Sequence, residues 1–166
     1  VILENTKGEF DISTASGDVE ANKIDGIFEM STASGGIDVK DSKGTFELSC
    51  ASGDIDASNI HIAGESSFST ASGTVSVSPA KSPEYDLELS SASGKVTLDY
   101  HGNPMNGTFE FTARKDKGKI VSPVKFDKEE EFEKDKYVYL RKSFTVGAKT
   151  PKISLETSSG SAILKK

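Results

Sequence analysis

The chain has 166 residues, a net charge of −6 and 34% hydrophobic residues. That is the length of one domain with a narrow core, and the acidic balance excludes the basic surface that binding a nucleic-acid backbone requires. The single cysteine, Cys50, excludes an internal disulfide, and no run of 18 apolar residues or charged-then-apolar start marks a transmembrane helix or signal peptide within these residues.

The elements repeat from the first residue onward. Val1 and Leu3 occupy the same phase as Val19 and Ala21 eighteen positions later, so the sequence is expected to begin in mid-coil. A full unit follows, with Phe10 and Ile12 alternating around Asp11, then the turn Ser16-Gly17, then Val19 and Ala21. The second unit repeats it with Phe28 and Met30, Ser34-Gly35, and Ile37 and Val39. The third has Phe46 and Leu48, Ser52-Gly53, and Ile55 and Ala57. In the fourth, Ser66 and Phe68 precede Ser72-Gly73, with Val75 and Val77 after it; in the fifth, Leu87 and Leu89 precede Ser93-Gly94, with Val96 and Leu98 after it. Alternation of this kind predicts two short strands per unit, each with one buried face.

A degraded sixth unit runs from Phe109 and Phe111 through Gly118 to Ile120. From 121 to 151 the repeat stops. Within this excursion YVYLRKSFTV reads as a strand, while FDKEEEFEKDK fits an irregular loop, a short helix or the other arm of a hairpin. The repeat then resumes with Ile153 and Leu155, Ser159-Gly160, and Ala162 and Leu164.

Successive turn glycines are 18, 18, 20 and 21 residues apart up to Gly94. Units this small cannot bury their apolar face alone and must stack, which brings like residues together in ladders about 4.8 Å apart. A sandwich or antiparallel barrel gives no reason for the same residue to recur at the same place in every unit. The expectation is an all-β chain forming a single right-handed parallel β-solenoid over 1–166, of about seven coils, with the excursion capping its C-terminal end.

Candidate chemistry is sparse. Cys50 stands in a column otherwise filled by Thr14, Thr32, Thr70, Ser91 and Thr157, which reads as a small packing element rather than a nucleophile. His61, assigned to a turn, and His101, assigned to a loop, lie at different phases of the repeat, so neither a metal centre nor a base beside a nucleophile is expected. Carboxylates stack as Asp11, Glu29 and Glu47 on one face and Glu20, Asp38 and Asp56 on the other; a solvated, aggregation-resistant surface is preferred over a cation site. The Ser-Gly turns lack the context of nucleotide-binding glycines. The expected protein is not an enzyme and carries no cofactor or metal. If it binds a partner, specificity should come from what interrupts the repeat, which singles out Phe132, Tyr137, Tyr139 and Arg141, with Phe126 nearby.

The strings STASGD and SSASGK between F-E-M or L-E-L and I-D-V strands, with the closing KISLETSSGSAIL, resemble a bacterial adhesin-type domain family catalogued as a domain of unknown function. The resemblance implies a β-solenoid exported and tethered at the cell envelope or surface by an anchor outside these residues, with no catalytic residues to carry over. It suggests a binding module or rigid spacer for a glycan or protein partner. Two alternatives remain: a structural solenoid polymerising end to end, as bactofilins do, and a polysaccharide-active β-helix enzyme.

Overall fold

The computed structural model describes every residue from Val1 to Lys166 and contains strands but no helix. Sheet A is built from β1 (Ile2–Glu4), β3 (Val19–Asn22), β5 (Ile37–Lys40), β7 (Ile55–Ile62), β9 (Val75–Pro79), β11 (Val96–Asp99), β13 (Lys119–Val121) and β17 (Ser161–Lys165). Sheet B is built from β2 (Lys7–Thr14), β4 (Asp25–Ser34), β6 (Lys43–Ser52), β8 (Ser66–Ser72), β10 (Leu87–Ser93), β12 (Gly107–Arg114), β14 (Lys128–Lys134), β15 (Tyr137–Val146) and β16 (Lys152–Ser159). Each turn of the chain adds one strand to each sheet, in parallel with the strand below it. The fold is a parallel β-solenoid.

Registers follow the sequence columns. Phe10 lies beside Phe28 and Phe28 beside Phe46, and their rings stack with centroids 5.5 and 5.8 Å apart. Val19, Ile37, Ile55 and Val75 form the facing ladder. One continuous cluster of 29 buried residues fills the space between the sheets, so the coils share a single core. Each fully buried aromatic or aliphatic side chain there contributes about 1.5–3 kcal/mol. Ser66 takes the phenylalanine place in the fourth coil. Buried, it donates to the Gly64 carbonyl at 3.0 Å and accepts the Phe46 N–H at 3.1 Å, so its hydroxyl is satisfied.

Both corners of the coil are also ladders. At one, the N–H of Gly17 donates to Ser34 O, Gly35 to Ser52 O, Gly53 to Ser72 O, Gly73 to Ser93 O and Gly94 to Ser159 O, at 2.8–3.3 Å. Hydroxyls of Thr32, Thr70, Ser91 and Thr157 brace this corner by donating to Gly17, Gly53, Gly73 and Gly94 carbonyls. At the other corner Asn5, Lys23, Asp41 and Asn59 adopt φ between 49° and 54°, and Gly8, Gly26 and Gly44 follow three residues later. That second glycine ladder was not singled out from the sequence, although G-x-F recurs at 8, 26, 44 and 107.

The stacking order corrects the expected coil count and departs from chain order. Five turns, β2–β3 to β10–β11, rise in chain order rather than seven. The next strand in sequence, β12, does not pair with β10; β16 lies between them, parallel to both. In sheet A, β17 likewise separates β11 from β13. The last unit of the chain is therefore an interior layer, not the terminal coil. Turn chemistry accounts for this: residues 159–160 supply the Ser-Gly pair that continues the ladder on Gly94, whereas the β12–β13 corner reads RKDKGK and cannot. The excursion forms a hairpin of β14 and β15, with β15 antiparallel to β12, which extends sheet B outward by two strands.

Candidate binding face on sheet B

Alternation along the strands of sheet B sends three columns of side chains outward. The first carries Asp11, Glu29, Glu47, Ser67 and Glu88, the second Ser13, Ser31, Ser49, Ser69 and Ser90, and the third Ala33, Ala51, Ala71 and Ala92. Ser13 and Ser31 hydroxyls, the first two of the serine column, hydrogen-bond to each other at 3.0 Å. The result is a flat polar wall. Glu20, Asp38 and Asp56 stack on the opposite face, on sheet A. Burial, then Asp38 close by, pushes the Asp56 carboxyl up from its ordinary value. No group of three or more histidine, cysteine or acidic side chains converges on a point as a metal ion would require.

The wall is not uniform. A groove of about 530 Å³ opens along its edge, lined by Ile27, Glu29, Thr45, Glu47, Glu65, Asp86, Glu88 and Lys152 among others. Glu65 and Asp86 belong to the fourth and fifth units, whose turn glycines are spaced 20 and 21 residues apart instead of 18. The uneven spacing was visible in the sequence, but a spacing does not say on which side the added residues emerge. Lys152 closes one end: its N–H donates to Asp86 at 2.8 Å and its ammonium lies 3.3 Å from Glu110.

The hairpin continues the wall. Asp135 and Lys136, both with positive φ (50° and 68°), form its two-residue loop, the turn whose twist suits a tight β-hairpin. Residues directly opposite in an antiparallel pair share a face. Phe132 opposes Tyr139, Glu130 opposes Arg141, and Arg141 and Tyr139 oppose Thr112 and Arg114 on the outer face of β12. All four residues singled out from the sequence thus lie on the outer side of sheet B. Phe132 and Tyr139 rings stack at 5.7 Å, with the Arg141 guanidinium 4.6 Å from the Phe132 centroid. Arg114, clamped by Asp116 at 2.6 and 2.9 Å, covers one face of Tyr137 at 4.2 Å.

Their exposure differs. Tyr139 is 7% exposed and its hydroxyl lies 3.2 Å from Ser158 Oγ, which makes it the joint between hairpin and wall. Tyr137 is 48% exposed and presents its free edge and face to solvent. Phe126 separates from this group, packing edge-on against Phe111 at 5.6 Å. Phe144, which the sequence reading passed over, stacks on Phe109 at 4.9 Å and carries the inner side of β15.

Cys50 sits where the column places it, its Sγ donating to the Gly35 carbonyl at 3.0 Å as the hydroxyls of its neighbours do in their coils. Burial pushes its thiol up from the ordinary value. His61 lies in β7 beside Lys43 rather than in a turn; burial foremost, with the Lys81 and Lys43 charges, lowers its affinity for a proton. His101 lies in a turn, and here the sequence reading missed a contact. Its Nε2 is 3.2 Å from Ser78 Oγ, with Asp99 Oδ1 3.8 Å from Nδ1. That Asp99 oxygen accepts the His101 backbone N–H at 2.9 Å, and 3.8 Å is beyond hydrogen-bond range, so the trio locks a strained turn at φ 46°.

A family profile, Toastrack DUF4097, matches residues 1–125. The chain belongs to the Toastrack DUF4097 family. The match takes in the five successive turns and β12–β13 and stops before the hairpin, so β14, β15 and the interior β16–β17 layer lie beyond it. No curated protein and no solved structure matches the chain. The Toastrack profile describes a domain of unknown function, so it carries the solenoid and the repeat but neither an adhesin role nor a location.

Proposed function

We propose that this Toastrack domain is a non-enzymatic module of the bacterial cell envelope or surface, adhesin-like, which holds a glycan or protein partner against the outer face of sheet B. The observation that carries this reading is the continuity of that face. The three outward columns continue in register through β16 and β12 into the hairpin, the serine column passing through Glu156 and Thr112 to Arg141 and the acidic column through Ser154 and Glu110 to Ser143, with Tyr137 exposed and Arg141 half-buried at that end. A flat wall with repeated hydroxyls and carboxylates suits many weak polar contacts along an extended chain, and aromatic and arginine side chains at one end supply what the repeats lack. End-to-end polymerisation is disfavoured because β14, reading KEEEFEK, forms the outer edge of sheet B and presents charge where another coil would have to pair.

The test is a glycan array together with a pull-down from envelope fractions, using the wild type, Tyr137→Ala and Arg141→Ala. Binding that falls at least tenfold in either variant, with an unchanged melting temperature, supports the site. Binding that persists in both variants moves the ligand elsewhere, and uniform failure to bind, with the protein found in the cytoplasm, rejects the reading.

A further inference from the structure

The interior position of the last coil has a consequence for how copies of this chain interact. Everything that forms the layer around β16–β17 precedes it in sequence: β10 and β11 on one side, β12 and β13 on the other. Residues 152–165 lie between them and join them: β13 has no strand partner other than β17, and β12 meets the stack through β16. The fit is specific. Ile153, Leu155, Ala162 and Leu164 are 0–2% exposed, Thr157 donates to Gly94 O at 3.0 Å, and a Cβ at position 160 would collide with the Gly94 carbonyl.

The segment joining this coil to β15 is short and exposed. Gly147, Ala148, Lys149 and Thr150 are all exposed. It is fixed by the Ala148 N–H on Asn106 Oδ1 at 3.1 Å, the Thr108 hydroxyl on the Lys149 carbonyl at 2.9 Å, the Asn106 amide N–H on the Thr150 carbonyl at 3.5 Å and the Thr108 N–H on the Pro151 carbonyl at 2.9 Å. We propose that residues 152–166 act as an exchangeable donor: the slot between β10–β11 and β12–β13 accepts this coil from a second copy of the chain, giving reciprocally strand-exchanged dimers. The exchanged and unexchanged forms make the same slot contacts, so the tether and protein concentration set the balance between them. Donor strands that complete a parallel stack in this way bring both main-chain pairing on two edges and side-chain pockets for specificity. The tether favours the monomer in dilute solution, and folding at high concentration favours exchange.

Ser93 and Ser159 are register partners on β10 and β16 and provide a direct readout. Neighbouring parallel strands are about 4.8 Å apart, within disulfide reach. In a Cys50→Ser background, which keeps a donor for the Gly35 carbonyl, the full-length Ser93→Cys and Ser159→Cys variants are refolded together at high concentration and oxidised. A third chain carrying both substitutions is oxidised alone. The double variant is expected to close its own disulfide, and the co-refolded pair to give a mixed disulfide-linked dimer that simple mixing of the folded variants does not give. Closure in the double variant with only monomers from co-refolding overturns the proposal. So does equal cross-linking from simple mixing, which would report surface collisions, and so does failure of the double variant to close, which would take β16 out of the slot.

Discussion

Thr157 Oγ1 donates to the carbonyl oxygen of Gly94 at 3.0 Å, across 63 positions of sequence. The same bond joins Ser91 to Gly73 and Thr70 to Gly53 in the coils below, so the corner of the solenoid continues through a part of the chain that sequence order would place elsewhere. Thr157 is fully buried. Thr157→Val keeps the shape and removes the donor, leaving the Gly94 carbonyl short of a partner, and is expected to cost about 1–3 kcal/mol. Urea unfolding with an unchanged slope and a lower midpoint checks it.

Gly8 and Gly26 allow the cost of stacking to be separated from the cost of backbone conformation. Their φ angles are 146° and 149°, so alanine strains both backbones alike. At Gly8 the nearest atom to an added Cβ is the Phe10 ring at 3.5 Å, whereas at Gly26 the Cβ runs into the carbonyl of Gly8. Gly26→Ala should therefore destabilise by about 1–3 kcal/mol more than Gly8→Ala, the usual range for overpacking. Thermal unfolding of the two variants side by side measures the difference.

Cys50 is a hydroxyl substitute in the corner ladder, and burial raises its thiol pKa. The native protein should react with a thiol reagent far more slowly at pH 8 than it does in urea, and Cys50→Thr should change stability by less than about 1 kcal/mol, as a swap within one column. Fast native labelling would show the thiol to be open.

The repeat columns made most of the solenoid legible. Phe10, Phe28 and Phe46 recur at one phase because each must fill the same cross-section of a shared core, and that requirement is written into spacing alone. The position of β16 was less legible. Its columns recur in the sequence, but a column does not say which layer of the stack it occupies; that is decided by the corner, where Ser159-Gly160 continues the ladder on Gly94 and RKDKGK does not. At the candidate face, Phe132, Tyr137, Tyr139 and Arg141 stood out by composition. Which side of the sheet they occupy depends on the pairing of β15 with β12, a contact between segments about thirty residues apart whose register no local pattern specifies. The groove behind Glu65 and Asp86 depends on where added residues bulge, which is again a matter of packing.

Asp56 gives a pH-dependent prediction. Its folded pKa is raised by burial and by Asp38, so its charged form is disfavoured in the native state. The resulting penalty is present at pH values above the folded pKa and fades as pH falls toward the unfolded value near ~3.9. Asp56→Asn should stabilise the fold slightly at pH 7, by about a few tenths of a kcal/mol for a surface group, seen as a small rise in melting temperature, and give no gain below that unfolded value. A gain that persists at low pH would assign the effect to something other than charge.

The stacking order itself is tested most directly by amide hydrogen exchange on the full-length protein, resolved by residue. Strands β16 and β17 are paired on both edges, whereas β14 is paired on one. Amides of Ile153, Leu155, Ala162 and Leu164 should exchange as slowly as those of Phe46 and Leu48 in the middle of the stack, and much more slowly than those of Lys128–Lys134. Exchange at 153–164 as rapid as in β14 would place the last coil at an open end and contradict the order described for the solenoid.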